Sequence, residues 1–430
     1  MKMLRNKISC VLVCVLVLCV VHGVSADENH YVNMLVGNRA SGLGGAYTAV
    51  SDDPAGCFYN PAGIAFSPYL SISASVNAFS VSTKTYKDAL RDISGNTIDW
   101  TQESSNLLPN FFGMVRQFGP GKIGFSYGVP DSIQRQQKQT FRNIRSYLPD
   151  NPIETYTINI NDNDKTYLLG PSYAFSVSDS FSIGATLYAY YRSMEIIRTQ
   201  LLQFDQGEHY VINYYETKED WGYKPIIGAI WEPLDKLAVG LTISKIYVAS
   251  SDNERQVLFR DTSSPVPYLI DSTIYDFTNT DAIYFTRVAD EEKDKFPLTT
   301  ALGVAYFASP RLLFSGDITY YQEVSDKEAT YNFSLGTEYY FTERFAGRAG
   351  FFTDNANTPS LSSTQTDQPE NVDIYGLSLS ITSYQKRSGI TLGMMYSLGK
   401  GDAQVVANST AIQDVEISNF IGYLSASYSY

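Results

Sequence analysis

The sequence predicts an all-β protein: a 14-stranded antiparallel transmembrane β-barrel with an N-terminal plug inside its lumen. Three observations favour this fold. The chain holds 33 tyrosines and 23 phenylalanines, yet its leader is followed by no apolar run long enough for a transmembrane helix. Many segments alternate apolar residues with small polar ones at period 2. Short and long connections also alternate along the chain, as periplasmic turns and extracellular loops do in membrane barrels.

Residues 1–26 have the pattern of a signal peptide. A positively charged start precedes an apolar run at residues 8–21 and a small-residue cleavage site at residues 24–26. The run is too short to span a bilayer comfortably. Lipidation at Cys14 or Cys19 is the alternative, and the bulky residue before each cysteine disfavours it. We therefore expect export and cleavage of this leader.

Composition excludes several function classes. The net charge is −13 without any lysine- or arginine-rich cluster, which argues against nucleic acid as a partner. Cys57 is the only cysteine after the leader, so no intrachain disulfide can form. His30 and His209 are the only histidines left, and neither falls on the lumen face of a predicted strand. An enzymatic Ser/His site, a metal site and a bound cofactor are therefore not predicted.

Residues 27–67 are predicted to form the plug. The stretch from 37 to 66 contains six glycines and does not have the pattern of a strand or of a strand connection. Asn60 followed by Pro61 is typical of a helix N-cap with proline at the first helical position, and Gly63 suits the end of that turn. The glycines of 42–45 resemble a dinucleotide loop, but no strand precedes them and no amphipathic helix follows.

Residues 68–430 are predicted to form the barrel. In each segment one face is apolar and the other carries small or hydroxyl side chains, as expected of a lipid face and a lumen face. A secreted soluble β-protein, the alternative, would carry charge on its outward face. The predicted strands are 68–81, 106–118, 121–130, 164–178, 180–197, 209–231, 237–250, 296–308, 311–323, 329–341, 344–353, 371–384, 389–398 and 415–430.

The last predicted strand ends on Tyr430 after alternating apolar residues. A terminal aromatic residue in this setting resembles the assembly signal of outer-membrane barrels. It implies the barrel assembly machinery as a partner during biogenesis and outer-membrane lipids as the surroundings.

The N-terminal stretch also resembles a known family. Residues 37–40 (GNRA), 44–50 (GGAYTAV), 52–53 (DD) and 58–63 (FYNPAG) are similar to the hatch of the FadL/TodX outer-membrane transporters. The resemblance implies passive uptake of long-chain fatty acids or other hydrophobic compounds, and its barrel has 14 strands. Some related hatch-bearing barrels are surface or secretion-associated proteins instead. The residues that carry the hatch motif are Gly44, Gly45, Asn60, Pro61, Ala62 and Gly63.

Two long connections carry more apolar surface than exposure to water explains. We expect them to form a capture groove for a hydrophobic ligand, or a compact cap in which they pack on one another. In connection 198–208 these residues are Leu201, Leu202 and Phe204, and in connection 251–295 they include Tyr268, Leu269 and Phe277.

Four charged residues fall on lumen faces: Arg192, Asp317, Glu338 and Arg348. Either they pair with one another or pin the plug, or Arg192 or Arg348 binds a fatty-acid carboxylate.

Prolines interrupt three predicted strands, at Pro109, Pro225 and Pro297. Proline removes a ladder donor, so we expect a lateral gap at Pro109, together with Gly113, and simple strand edges at the other two.

The predicted function is passive uptake of long-chain fatty acids or similar hydrophobic molecules across the bacterial outer membrane. Entry is through a loop groove and a lumen site, and exit follows a shift of the plug or a lateral gap. The alternative is a surface-exposed barrel for interaction or secretion without transport. A general aqueous porin is a third possibility, which the predicted plug argues against.

Overall fold

The computed structural model describes residues 29–32, 34–145, 151–261, 269–270, 273–274, 282–325, 327–405 and 409–430. The predicted signal peptide lies outside these residues. Two short helices, α1 (Asn38–Gly42) and α2 (Gly56–Tyr59), and a 3-10 helix (Pro61–Phe66) precede the strands. No helix within the described ranges is long and apolar enough to cross a membrane.

Strands make up most of the rest of the chain. Those in the first part are β1 (Leu70–Arg91), β2 (Thr97–Phe118), β3 (Gly121–Ile144), β4 (Ile153–Ser178), β5 (Phe181–Phe204), β6 (His209–Leu234), β7 (Leu237–Ser244), β8 (Tyr247–Asp261), β9 (Leu269–Ile270) and β10 (Thr273–Ile274). Those in the second part are β11 (Ala282–Asp290), β12 (Thr299–Ser309), β13 (Leu312–Tyr321), β14 (Thr330–Thr342), β15 (Phe345–Asp354), β16 (Asn371–Tyr384), β17 (Ser388–Ala403) and β18 (Gln413–Ser429).

Fourteen strands, β1–β7 and β12–β18, form a closed antiparallel ring. Each pairs with its neighbours in this order, β7 pairs with both β6 and β12, and β18 returns to β1. Leu70 and Tyr430 exchange two backbone hydrogen bonds of 2.9 and 2.8 Å at the seam. The 14-stranded antiparallel barrel predicted from the alternation is confirmed.

The outward face of the ring carries an apolar band. In β5, Leu187 is 55% exposed whereas Ser182 and Thr186 are buried on the opposite face. Above the band, aromatic rings on neighbouring strands follow one another at centroid distances of 4.3–6.4 Å; they belong to Tyr127, Tyr167, Tyr191 and Trp221. From Phe181 to Tyr191, ten residue-to-residue steps of tilted strand give a height of about 25 Å, the thickness of a lipid-facing band.

Beyond the aromatic belt the polarity of the two faces reverses. In β4, Ile158 and Ile160 are buried on the inner face, and asparagines and threonines alternate with them on the other. In β6, Ile212 is buried inside whereas Ile227, lower in the wall, is 66% exposed outside. Water surrounds the protruding part, so its apolar side chains face inward.

This reversal explains where the sequence-based strand limits were wrong. Connections 82–105, 131–163 and 198–208 were predicted as loops, but strands occupy most of each. The prediction assigned strands only where alternate residues form an apolar outward face, and that pattern ends at the membrane boundary.

The predicted strand 237–250 is divided into β7 and β8 at Lys245-Ile246. The lower part of β6 pairs with β7, and its upper part pairs with β8, which in turn pairs with β11. Residues 291–298 connect β11 to β12 without strand structure. Pro297, predicted to lie within a strand, therefore precedes β12 instead.

Residues 37–66, here the N-terminal segment, contact the inner face of strands on all sides of the ring. Glycines on six strands leave room for it, because a Cβ at each would collide with the segment. These wall glycines and their neighbours are Gly124 (Cys57), Gly184 (Pro61), Gly228 (Asn60), Gly240 (Thr48), Gly336 (Leu43) and Gly350 (Gly44). The contacts place the segment inside the wall; its role as a plug stays a prediction.

Candidate functional site

Apolar side chains are buried inside the part of the barrel that protrudes above the aromatic belt. Buried side chains from β5, β6 and β8 form one cluster, and side chains from β3 and β4 form a second one. Ile153 and Tyr156 pack against both clusters and join them. We call this the upper chamber; its buried members include Met194, Ile196, Ile212, Tyr214, Val257, Phe259, Phe141 and Ile158.

The predicted groove residues have different positions relative to the upper chamber. Leu202 and Phe204 are buried in it, at the end of β5 rather than in a loop. Leu201 alternates with them along the strand and is only partly buried. Tyr268 and Phe277 lie outside the described residues, and of Leu269 only the backbone in β9 is described.

A layer of charged side chains lies below the upper chamber. Arg192 binds Asp164 through two hydrogen bonds, Nε to Oδ1 at 3.0 Å and a terminal nitrogen to Oδ2 at 2.7 Å. Its other terminal nitrogen donates to Asp294 at 2.9 Å, and Lys218 donates to the second oxygen of Asp294 at 2.5 Å. Asp220, fully buried, lies opposite Arg192 in the β5–β6 register. Arg192 thus pairs with Asp164 and Asp294 rather than with the other three charges predicted to face the lumen.

An apolar layer separates these charges from the N-terminal segment. Leu168, Tyr188, Tyr190 and Ile226 are buried in it, with Phe58 below and Phe296 packed edge-on against Tyr190 at 5.7 Å. Side chains fill this layer, so a ligand enters it only when one of the two phenylalanines moves.

Lys224 points into the same layer. Its Nζ lies 4.9 Å from the centre of the Phe58 ring, a cation–π contact. Among the inward cations of the described residues, Arg39, Arg135, Arg192, Arg198, Lys218, Arg255 and Arg348 each contact a carboxylate. Lys224 has no carboxylate within ion-pair distance in that part of the chain. The sequence analysis did not identify Lys224. Its even-numbered position, shared with Lys218 and Asp220 along β6, is the signal that indicates an inward side chain.

The wall holds the N-terminal segment by two carboxylates. Asp317 accepts hydrogen bonds from the backbone N–H groups of Tyr47 and Thr48, both at 2.8 Å. Glu338 lies between Arg39 of the segment, at 2.7 and 2.9 Å, and Arg348 of the wall, at 2.5 Å. Arg348 also donates to the hydroxyl groups of Thr382 and Tyr384. Arg348, which the sequence analysis proposed as a ligand-binding group, is therefore already hydrogen-bonded to three protein side chains.

The predicted hatch motif forms two tight turns of the segment. Gly44 and Gly45 have φ values of +66° and +83°, which a side chain would strain. The predicted cap is present: Asn60 Oδ1 accepts from Ala62 N at 3.1 Å, and Pro61 opens the 3-10 helix. Asn60 Nδ2 donates to Thr48 O at 2.7 Å and to Ala229 O of the wall at 3.1 Å. Gly63 lies against Ser51, where a Cβ would not fit.

The ladder between β2 and β3 stops partway up the wall. Pairing runs from Phe118↔Gly121 to Phe111↔Gly128 and then ends, two residues below Pro109. Eight residue pairs on tilted strands correspond to a height of about 18 Å, so the break falls in the outer part of the lipid-facing band. Side chains bridge the two strands again higher up, where Ser104 donates to Gln134 O and Gln137 to Thr101 O. We call the unpaired stretch, residues 105–110 and 129–133, the window.

The window opens beside the start of the N-terminal segment. Asn110 donates to Leu35 O at 3.1 Å, and a Cβ on Gly128 would touch Val36. Gly113, the other predicted gap residue, lies within the paired part and leaves room for Pro54. A separate cleft of about 410 Å³ near Pro171 and Pro225 is bordered by outward-facing Leu187 and Ile227, so it opens on the lipid side. The described residues contain no cluster of three metal-binding side chains.

The fold is similar to that of several solved barrels. No protein-family model and no curated protein matches the chain. A FadL homologue from Pseudomonas aeruginosa is 15% identical, with 93% of this chain and 99% of that chain covered at a TM-score of 0.59. The toluene transporter TodX from P. putida is 12% identical over the same shares at a TM-score of 0.64. The toluene transporter TbuX from Ralstonia pickettii is 14% identical over the same shares at 0.57. The chain therefore has the barrel fold of the FadL homologue and of the TodX-type transporters.

Proposed function

We propose that this protein is an outer-membrane transporter for the passive uptake of long-chain fatty acids or similarly hydrophobic molecules. The observation that carries the proposal is the reversal of polarity above the aromatic belt. A membrane barrel normally has a polar lumen, whereas here the protruding part buries two apolar clusters inside, next to paired charges such as Arg198–Asp162. The similarity to structures described as a FadL homologue and as toluene transporters supports the same class of cargo.

The upper chamber would receive the ligand first. Burial of each methylene contributes about 0.8 kcal/mol, so ten methylenes supply roughly 8 kcal/mol, enough for micromolar affinity. Below it, the apolar layer above Phe58 would hold the acyl chain during passage. Lys224 would then meet the carboxylate head group, and binding would provide the anion that this lysine lacks.

The N-terminal segment would act as the plug. Arg348 takes part in holding it rather than in binding the ligand, because its guanidinium already contacts Glu338 and two hydroxyl groups. Two exits are compatible with the wall: a shift of the segment toward the periplasm, and lateral release into the membrane through the window beside Pro109. β2 and β3 are not paired with each other there, so their separation breaks no ladder hydrogen bonds between them.

One observation favours a second candidate. The apolar layer and the N-terminal segment are both closely packed, as expected of a sealed barrel that displays its protruding part to partners without transport. Uptake distinguishes the two functions. The chain is expressed in a host that lacks its own fatty-acid transporter, and entry of a labelled long-chain fatty acid is measured.

Transport predicts saturable uptake and an acyl chain bound to the purified barrel in native mass spectrometry. A correctly folded barrel with neither uptake nor bound lipid would contradict the proposal and support the display function. Size-dependent leakage of sugars from liposomes would instead indicate a porin.

A further inference from the structure

Residues 294–297, here the strap, turn from the segment before β12 toward the inner faces of β5 and β6. Asp294 contacts Arg192 and Lys218, and Phe296 packs against Tyr190 in the apolar layer. The strap thus reaches both the charged layer and the layer beneath it, directly below the upper chamber. No strand pairing holds residues 291–297. The contacts of Asp294 and Phe296 hold the strap itself, and its two ends are fixed by hydrogen bonds from Lys293 to Ala249 O and from Gln322 N to Leu298 O.

The contacts of Asp294 have the geometry of a carboxylate-binding site. One oxygen accepts from Arg192 at 2.9 Å and the other from Lys218 at 2.5 Å. The remaining edge of Arg192 is fixed by its two hydrogen bonds to Asp164, which orients its other terminal nitrogen toward Asp294. A preorganised pair of cations that divides one carboxylate between them would accept any carboxylate of similar shape.

We propose that Arg192 and Lys218 bind the carboxylate of an incoming amphiphile, and that Asp294 occupies this site until the ligand replaces it. The proposal rests on the proposed function and adds a head-group site and a gate to it. The exchange conserves charge, because one carboxylate leaves as another arrives. The side chain of Asp294 is 27% exposed, so water can take it up when it leaves.

This arrangement selects by head group. A long-chain alcohol has the same tail but cannot compete for two cations, so it would leave the strap closed. A carboxylate would open the strap and enter the apolar layer.

Binding to the purified barrel tests the site directly. Titrations use a long-chain fatty acid and the alcohol of equal length, against the wild type, Asp294→Asn and Glu292→Gln. Glu292 is exposed and precedes the strap, so its variant is a matched loss of one negative charge. If molecules with the strap closed are ten times as abundant as those with it open, Asp294→Asn should bind the fatty acid about tenfold tighter, because the closed state no longer competes with binding. Asp294→Asn should bind the alcohol with the same affinity as the wild type. Glu292→Gln should bind both ligands with the wild-type affinities.

Lys218→Met provides the opposite test, since it should weaken binding of the fatty acid and leave the alcohol unaffected. The proposal is wrong if Asp294→Asn leaves fatty-acid affinity unchanged, or if it strengthens both ligands equally, which would indicate only a looser barrel.

A reversible tether separates failure of the gate from failure of transport. Tyr190→Cys and Phe296→Cys are combined in a Cys57→Ser background and joined by a short cleavable thiol crosslinker, with each single cysteine variant as a control. Uptake should be lost on crosslinking and recovered on cleavage. Equal uptake in both states would overturn the gate while leaving transport intact. Absence of uptake in both states and in the wild type would contradict transport itself, and the binding titrations would still decide the site.

Discussion

Glu338→Gln is the perturbation that most directly tests how the N-terminal segment is held. It removes the charge between two guanidinium groups and leaves Arg39 and Arg348 facing each other in a buried site. Loss of one partner from a buried ion pair costs about 3–5 kcal/mol. Arg39 keeps Asp52 and Arg348 keeps two hydroxyl groups, so the lower end of that range, about 3 kcal/mol, applies. Detachment of the segment separates Arg39 from Arg348. The substitution therefore destabilises the docked state and not the detached one.

Cys57 reports the detachment. It is fully buried, and its sulfur lies 2.6 Å from the position that a Cβ on Gly124 of the wall would take. A thiol reagent therefore reaches it only when the segment opens, and the labelling rate follows the open population. A loss of 3 kcal/mol corresponds to roughly 100-fold faster labelling. Glu343→Gln, an exposed substitution in the turn between β14 and β15, is the matched control and should label like the wild type.

A labelling rate for Glu338→Gln within threefold of the wild type would refute this account of the docking. Retention of the heat-modifiable band on gels shows that the barrel itself stays folded. The double variant Arg39→Met/Glu338→Gln should label more slowly than the two single effects predict together, because the repulsion between the arginines is then gone.

Three further outcomes follow from the same contacts. Gly350→Ala should raise Cys57 labelling without unfolding the barrel, since the new methyl group meets the backbone of Gly44, and heat modifiability checks the wall. Loss of hydration and a neighbouring carboxylate raise the pKa of Asp53 to about 6. Its ionised form therefore disfavours docking, so the docked segment gains stability as pH falls from 7 to 5. Asp53→Asn should reduce that dependence in proteolysis assays. Lys224→Met should weaken fatty-acid binding severalfold but not alcohol binding, and equal loss for both ligands would contradict a head-group role.

The barrel strands could be predicted because successive side chains of a strand alternate between the lipid face and the lumen face. Within the membrane one face meets lipid and the other the lumen, so Leu187 and Ser182 belong to opposite faces whatever the details of packing. The same rule failed above the aromatic belt. Ile158 and Ile160 do alternate with polar residues, but with the apolar side inward, and a search for an apolar outer face takes such a stretch for a loop.

The site was less predictable because its contacts join residues far apart in the sequence. Arg192 and Arg348 were recognised as inward charges, yet alternation gives no information about which carboxylates meet them. Asp294 lies in a segment without any periodic pattern, and its contacts with Arg192 and Lys218 depend on how that segment turns. Glycines within strands were a signal of a different kind: those that face the N-terminal segment mark where another backbone comes close.

The N-terminal segment and the strap, which both lie inside the barrel, are held by interactions of different strength. This difference predicts which of them moves first when a ligand enters. The N-terminal segment is fixed by Glu338 between two arginines, by two backbone hydrogen bonds to Asp317 and by close contacts with wall glycines. The strap itself is held by the partly exposed carboxylate of Asp294 and by packing of Phe296 in the apolar layer, with one hydrogen bond at each of its ends. A ligand carboxylate can replace Asp294 in kind and reaches it from the upper chamber, whereas the contacts that hold the N-terminal segment lie beyond the apolar layer. The strap should therefore open first, and the segment should move only after the acyl chain has displaced Phe58.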